Sequence, residues 1–190
     1  MNLSDRFSDA LVYAARLHRA QRRKVSGTPY LGHLLRVAGI ALEHGADEDE
    51  AIAALLHDAV EDQGGEATGE AIRRQFGPRV VEIVQGCSDT DQAPKPPWRD
   101  RKEAYLARLA HASASVRLVS AADKLDNVRS VLESYRRHGE ALWNSFRGGR
   151  EGTLWYFGAV AEVLKRAGGN PLVDELALAV AELTRVLARQ

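Results

Sequence analysis

Apolar residues return every three or four positions along almost the whole chain, and no proline occurs between Trp98 and Asn170. The first pattern belongs to helices with one buried face, and the second removes the residue that best interrupts them. Ser4 reads as the N-cap of a helix carrying Phe7, Leu11, Ala14 and Leu17. Thr28 and Pro29 read as N-cap and first residue of a second helix, running through His33 to His44 and stopping at Gly45. Asp47 can cap a third, AIAALLHDAVED. Thr68 can open a short helix ending near Gly77, and Pro78 suits the first turn of another, RVVEIVQG, short enough to resemble a strand. Residues 87–97 form a polar, three-proline loop. Long helices are then expected over 98–111, 115–138 and 141–167, the last interrupted near Gly148-Gly149. Asn170-Pro171 reads as the start of a final amphipathic helix. The expectation is one all-α domain over residues 1–190, with no repeats and no β-rich segments.

Charge narrows the function. The chain has 26 basic and 26 acidic residues, a formal net charge of zero. Proteins that hold nucleic acid by its backbone carry a basic excess, so a nucleic-acid partner is not expected. A lone Cys87 excludes an intrachain disulfide framework and a four-cysteine zinc site, and suits the reducing cytoplasm. The N-terminal segment lacks the pattern of a signal peptide, and no apolar run reaches membrane-spanning length, so a membrane partner is not expected either.

The chemistry concentrates in His57-Asp58-Ala59-Val60-Glu61-Asp62, which puts three carboxylates and an imidazole in six residues after the apolar run AIAALL. In a continuous helix His57 and Glu61 share one face, as do Asp58 and Asp62. If the helix ends here, its dipole disfavours the acids, and Asp58 and Asp62 repel each other. A bound cation relieves both problems; a solvated helix end needs only water. His33 lies on an otherwise apolar face 24 residues upstream, and Asp123 follows another apolar helical stretch. Singly, these read as a half-buried histidine and as an ion pair with Lys124 or Arg129. Together they put metal-capable side chains on three helices. Two imidazoles and two carboxylates suit Mn²⁺, Fe²⁺ or Zn²⁺, and not an all-oxygen Ca²⁺ cage. Asp123, Asn127 and Ser130 also make a polar stripe on one helix face.

The ordered set His33, His57-Asp58 and Asp123 resembles the H…HD…D signature of HD-domain metal-dependent phosphohydrolases. More narrowly, QRRKVSGTPYLGH, LLHDAVED and AADKLDN are similar to the hydrolase half of RelA/SpoT-type alarmone enzymes and to small alarmone hydrolases, over about residues 5–170. The resemblance implies a compact multi-helix HD-domain bundle. It also implies a Mn²⁺-dependent enzyme removing the 3′-pyrophosphate of ppGpp and pppGpp, with other divalent transition metals as alternatives. It assigns His33, His57, Asp58 and Asp123 as metal ligands, at the ~2.0–2.3 Å typical of nitrogen and oxygen donors, and Glu61 and Asp62 as the catalytic acidic pair. On the substrate side it places Arg23, Lys24 and Ser26 in a basic loop, Asn127 and Ser130 beyond the metal Asp, and Tyr156 on a closing helix, where core packing is the competing role. Hydrolysis of another nucleotide and a non-catalytic HD-like module are the alternatives.

Three positions depart from that pattern. Asp126 stands where relatives commonly have His or Tyr. Ser120 replaces a basic residue, and SDTD at 88–91 replaces Thr-Lys. Each change removes positive charge expected near a polyanionic substrate, which Arg101, Lys102, Arg147 and Arg150 are available to restore. His44 and His138 read as helix-end residues, His18 and His111 belong to no motif, and Cys87 is not expected to be a nucleophile.

Overall fold

The computed structural model describes residues 2–90 and 94–189. Helix α1 (Asp5–Leu17) begins where the Ser4 side chain accepts the Arg6 N–H, and it buries Ala10 and Ala14. The next segment holds the first difference from the sequence reading. Thr28 and Pro29 do not start a helix: Arg23 N–H donates to Thr28 O at 2.9 Å and Tyr30 N–H to Gln21 O at 3.0 Å, closing a small β-bridge loop. These backbone bonds outbid the local N-cap signal, and α2 (Leu31–Glu43) starts after them.

Asp47 caps α3 (Glu48–Leu56) through a full capping box with Glu50. The expected continuous helix through Asp62 is broken. α3 ends at Leu56, His57 and Asp58 form a turn, and a single-turn α4 (Ala59–Asp62) carries the acids. The cause is the packing of α3: every residue from Ala51 to Leu56 is buried, so the helix can place polar groups only where it stops. His57 and Asp58 therefore stand in the turn between α3 and α4, while Asp62 N–H still bonds Asp58 O at 3.0 Å and keeps the two acids one turn apart.

α5 (Gly65–Phe76) starts three residues before Thr68, and Pro78 takes the first turn of α6 (Pro78–Cys87), a helix and not a strand. After the proline loop come α7 (Trp98–Ala110) and α8 (Ala114–His138). The Gly148-Gly149 break separates a 3-10 segment (Gly139–Ser145) from α9 (Gly149–Arg166). Asn170 caps α10 (Pro171–Leu187), with Pro171 in its first turn.

α8 is the axis, packing against α2, α3, α6, α9 and α10. Its residues Val119, Ala121, Ala122, Leu125 and Val128 are fully buried. Small side chains on this axis let neighbouring helices come close, so buried polar groups on α2, α3 and α8 can meet. Among the described residues there is no strand, and no helix is long and apolar enough to cross a membrane.

Candidate active site

His33 projects from α2, His57 and Asp58 from the turn after α3, and Asp123 from α8. His33 and His57 are both almost wholly buried. Ligand atoms of His33, His57 and Asp58 all lie within 4.8 Å of one another. Asp123 joins them: its Oδ1 is 3.3 Å from His33 Nε2 and 3.5 Å from His57 Nε2. Asp58 Oδ2 is 3.0 Å from His57 Nε2 and 3.7 Å from His33 Nε2.

The outer nitrogen of each ring is already committed. His57 Nδ1 sits 2.9 Å from the Ala54 carbonyl, which can only accept, so Nδ1 carries the proton. His33 Nδ1 sits 2.6 Å from Asp126 Oδ2. Both Nε2 atoms are buried without a hydrogen-bond partner. Two such nitrogens, both aimed between two carboxylates, leave their lone pairs available to a cation. The donor set, two imidazoles and two carboxylates, fits a divalent transition metal.

The acid–base balance of the cluster fits the same reading. Burial opposes charging His33, but the carboxylates of Asp123, Asp126 and Asp58 outweigh it and raise the imidazole to about 9. Burial likewise opposes charge on Asp58, yet the facing histidines hold it well below the usual carboxylate range. For Asp123 the Lys124 ammonium and both histidines overcome burial in the same direction. Protons on the two rings thus neutralise the carboxylates, the job a divalent cation takes over.

Each acid also has a further donor. Tyr30 OH donates to Asp58 Oδ2. Lys124 Nζ pairs with Asp123 Oδ2, and Asn127 Nδ2 donates to Asp123 Oδ1 at 2.5 Å. The ion pair with Lys124 coexists with the histidine contacts because the two carboxylate oxygens point different ways; Arg129 pairs instead with Glu175.

Asp58 and Asp123 line a cavity of about 450 Å³, within the ~300–1,000 Å³ of small-molecule sites. All six residues expected on the substrate side, Arg23, Lys24, Ser26, Asn127, Ser130 and Tyr156, line it, as do Glu61 and Asp62. Arg23 donates to Asn127 Oδ1 at 3.0 Å, linking the basic loop to the Asp123 helix. Tyr156 is nearly buried, with Lys102 Nζ 4.6 Å from its ring centroid, so it both packs and borders the cavity. Glu61 Oε2 accepts the Asp89 N–H at 3.0 Å and Oε1 accepts Lys95 Nζ at 2.9 Å. Asp62, at the rim, accepts from Gln21 Nε2 at 2.7 Å. Loss of water contact and the nearby Asp58 and Glu61 charges raise its pKa, with Gln21 opposing.

The 88–91 segment does put an acid on the cavity wall, since Asp89 lines it beside Lys102. Neither Ser120 nor Asp126 lines it. Ser120 Oγ accepts the buried Tyr105 hydroxyl at 2.8 Å, and Asp126 stands behind His33. Asp89 turns inward, pairing with Arg101 and, at 3.1 Å, with Lys102, while its backbone positions Glu61. Asp91 lies outside the described residues. Lys102, Lys124 and Arg147 supply cationic lining, whereas Arg101 is buried against Asp89 and Arg150 pairs with Glu140.

Sequence reasoning missed Tyr30, Gln21 and the contribution of Asp126 to the site. Tyr30 sat in the GTPY segment and Asp126 in AADKLDN, but nothing local says which carboxylate or ring nitrogen they meet. His18, outside any motif, is buried, stacks on Tyr30 and has Nδ1 2.6 Å from Gln21 Oε1.

Known proteins align with this arrangement. An HD domain family model matches residues 10–154. The guanosine-3′,5′-bis(diphosphate) 3′-pyrophosphohydrolase MESH1 of Xenopus tropicalis is 40% identical over 170 residues, 88% of this chain and 87% of its own length. Its Drosophila melanogaster namesake is 38% identical over 131 residues, 67% of this chain and 70% of its own. A solved structure described as a metazoan ortholog of SpoT that hydrolyzes ppGpp and plays a role in starvation responses superposes with a TM-score of 0.79 at 31% identity, over 98% of this chain and 97% of that one.

Proposed function

The chain belongs to the HD-domain family, and from that premise we propose that it is a metal-dependent 3′-pyrophosphohydrolase of guanosine alarmones. It converts ppGpp to GDP and pppGpp to GTP, releasing pyrophosphate, in the cytoplasm, with Mn²⁺ as its metal. The observation that carries this reading is the pair of buried Nε2 atoms of His33 and His57, without a hydrogen-bond partner, facing Asp58 and Asp123, the two carboxylates that line a cation-rimmed cavity.

His33, His57, Asp58 and Asp123 are the residues that hold the ion. A divalent cation bound there supplies a phosphoryl oxygen with Lewis-acid polarisation and a water with a lowered pKa. The chain's own groups do the rest. Glu61, one turn beyond Asp58, is oriented by the Asp89 N–H and by Lys95 to take a proton from the attacking water. The water attacks the phosphorus attached to the 3′-oxygen, and the bond to that oxygen breaks. Asp62, next to Glu61 on the cavity wall, supports the same proton network, and the departing 3′-oxygen takes its proton from solvent water. Arg23, Lys24, Lys102 and Arg147 offset the charge of the phosphates, and Tyr156 borders the nucleoside side.

Incubation with Mn²⁺ and either alarmone is expected to yield GDP or GTP with intact pyrophosphate, resolved by ion-exchange chromatography. Orthophosphate from the 5′ end, or efficient cleavage of a nucleoside monophosphate with neither alarmone touched, would overturn the assignment in favour of another nucleotide substrate. Lys24 is exposed at the cavity rim and is not one of the four metal-site residues. Lys24→Ala is therefore expected to raise KM by about tenfold, the loss of roughly 1.4 kcal/mol of binding, with kcat changed little. An equal fall in kcat would move Lys24 into the chemistry.

A further inference from the structure

Asp126 does not line the cavity, and the metal-site residue it bonds is His33. It is 3% exposed, on α8, one helical turn short of Ser130 and three residues past Asp123. Its Oδ2 lies 2.6 Å from His33 Nδ1. Its Oδ1 accepts Arg36 Nε at 2.5 Å, and Arg36 Nη2 reaches Oδ2 at 3.2 Å. Arg36 is half exposed, and its α2 also carries His33 one turn earlier. The guanidinium thus grips the carboxylate from the solvent side, while the carboxylate grips the imidazole from behind. A buried carboxylate with one cationic partner and one imidazole partner is fully engaged, so its orientation is set.

The geometry points to Asp126 as a positioning residue, clamped by Arg36, that holds the proton of His33 on Nδ1 and thereby presents Nε2 to the cation. The inference rests on the metal-site reading above and adds two residues to it. It follows from ring chemistry: neutral imidazole has one N–H and one lone pair, and an acceptor fixed at Nδ1 leaves the lone pair at Nε2. His57 reaches the same state by another route, its Nδ1 proton held by the Ala54 carbonyl. The two histidines are therefore oriented by different devices. Only the one at His33 is a carboxylate, itself paired with Arg36. Asp126 is also one of the positions where this chain departs from the pattern it resembles, so the device belongs to this chain's own residues.

The test has two readouts besides turnover. The first is long-range ¹H–¹⁵N correlation on the wild-type protein loaded with diamagnetic Zn²⁺. His33 is expected to carry its proton on Nδ1, against the usual preference of free imidazole for Nε2; a proton on Nε2 overturns the inference without any variant. The second is Mn²⁺ affinity by calorimetry. Asp126→Asn is expected to bind Mn²⁺ about 10–100-fold more weakly, with unchanged far-UV circular dichroism. Arg36→Gln, which spares the contact to His33, is expected to lose less. An Asp126→Asn protein that binds Mn²⁺ as tightly as wild type overturns the positioning role while leaving the metal site intact. A wild-type protein that takes up no Mn²⁺ overturns the metal reading and this inference with it.

Discussion

Glu61→Gln yields a folded protein that still takes up metal but turns over about 10²–10⁴-fold more slowly, the usual range for removal of a general base. Gln keeps the volume and one acceptor oxygen. One of the two contacts that orient Glu61, the Asp89 N–H at 3.0 Å or Lys95 at 2.9 Å, therefore survives. What disappears is the ability to accept a proton. Glu61 lies outside the cluster formed by His33, His57 and Asp58, so Mn²⁺ binding is expected to stay within a few-fold of wild type. Steady-state kinetics with calorimetry of metal uptake separates the two effects. Wild-type turnover in Glu61→Gln would remove the residue from the mechanism, and lost metal binding would make it a ligand.

The second large effect is on the metal itself. Saturating wild-type protein with Mn²⁺ at a hundred times its Kd is expected to stabilise it by ~2.7 kcal/mol, because the ion binds only the folded arrangement. For a chain of this size that raises Tm by roughly 5–11 °C. His57→Gln removes the ring whose Nε2 lies 3.0 Å from Asp58 and 3.5 Å from Asp123, and neighbouring backbone cannot replace it. Its Tm is expected not to respond to Mn²⁺, and its turnover to fall to background. Chelation of wild-type protein gives the same loss of activity, reversed by adding Mn²⁺ back. An unchanged Mn²⁺-induced shift in His57→Gln would place the ion elsewhere.

The sequence alone determined most of the helices, because their signals are local. Ser4, Asp47 and Asn170 accept backbone N–H groups within three residues, and Pro78 and Pro171 occupy first turns. Such contacts need no partner from elsewhere in the chain. The proposed metal-site residues were legible for a different reason: singly each reads as a solvated, half-buried or ion-paired side chain, and only their ordered set, which resembles the HD-domain signature, marks them out. Local signals failed where long-range packing competed with them. Thr28-Pro29 lost its helix start to backbone bonds from Gln21 and Arg23, and the helix through His57 broke because α3 is buried on every side. Only the tertiary structure decided which atoms of each site residue are free. Asp126 reaches His33 across 93 positions, Gln21 reaches Asp62 across 41, and Arg23 reaches Asn127 across 104. Asp126 read in sequence as a charge lost from the substrate wall; in the fold it is a carboxylate behind a histidine. Sequence records that an acid is present, but the direction of its oxygens is set by how α2 and α8 pack, and on that direction depends which ring nitrogen is left to meet a cation.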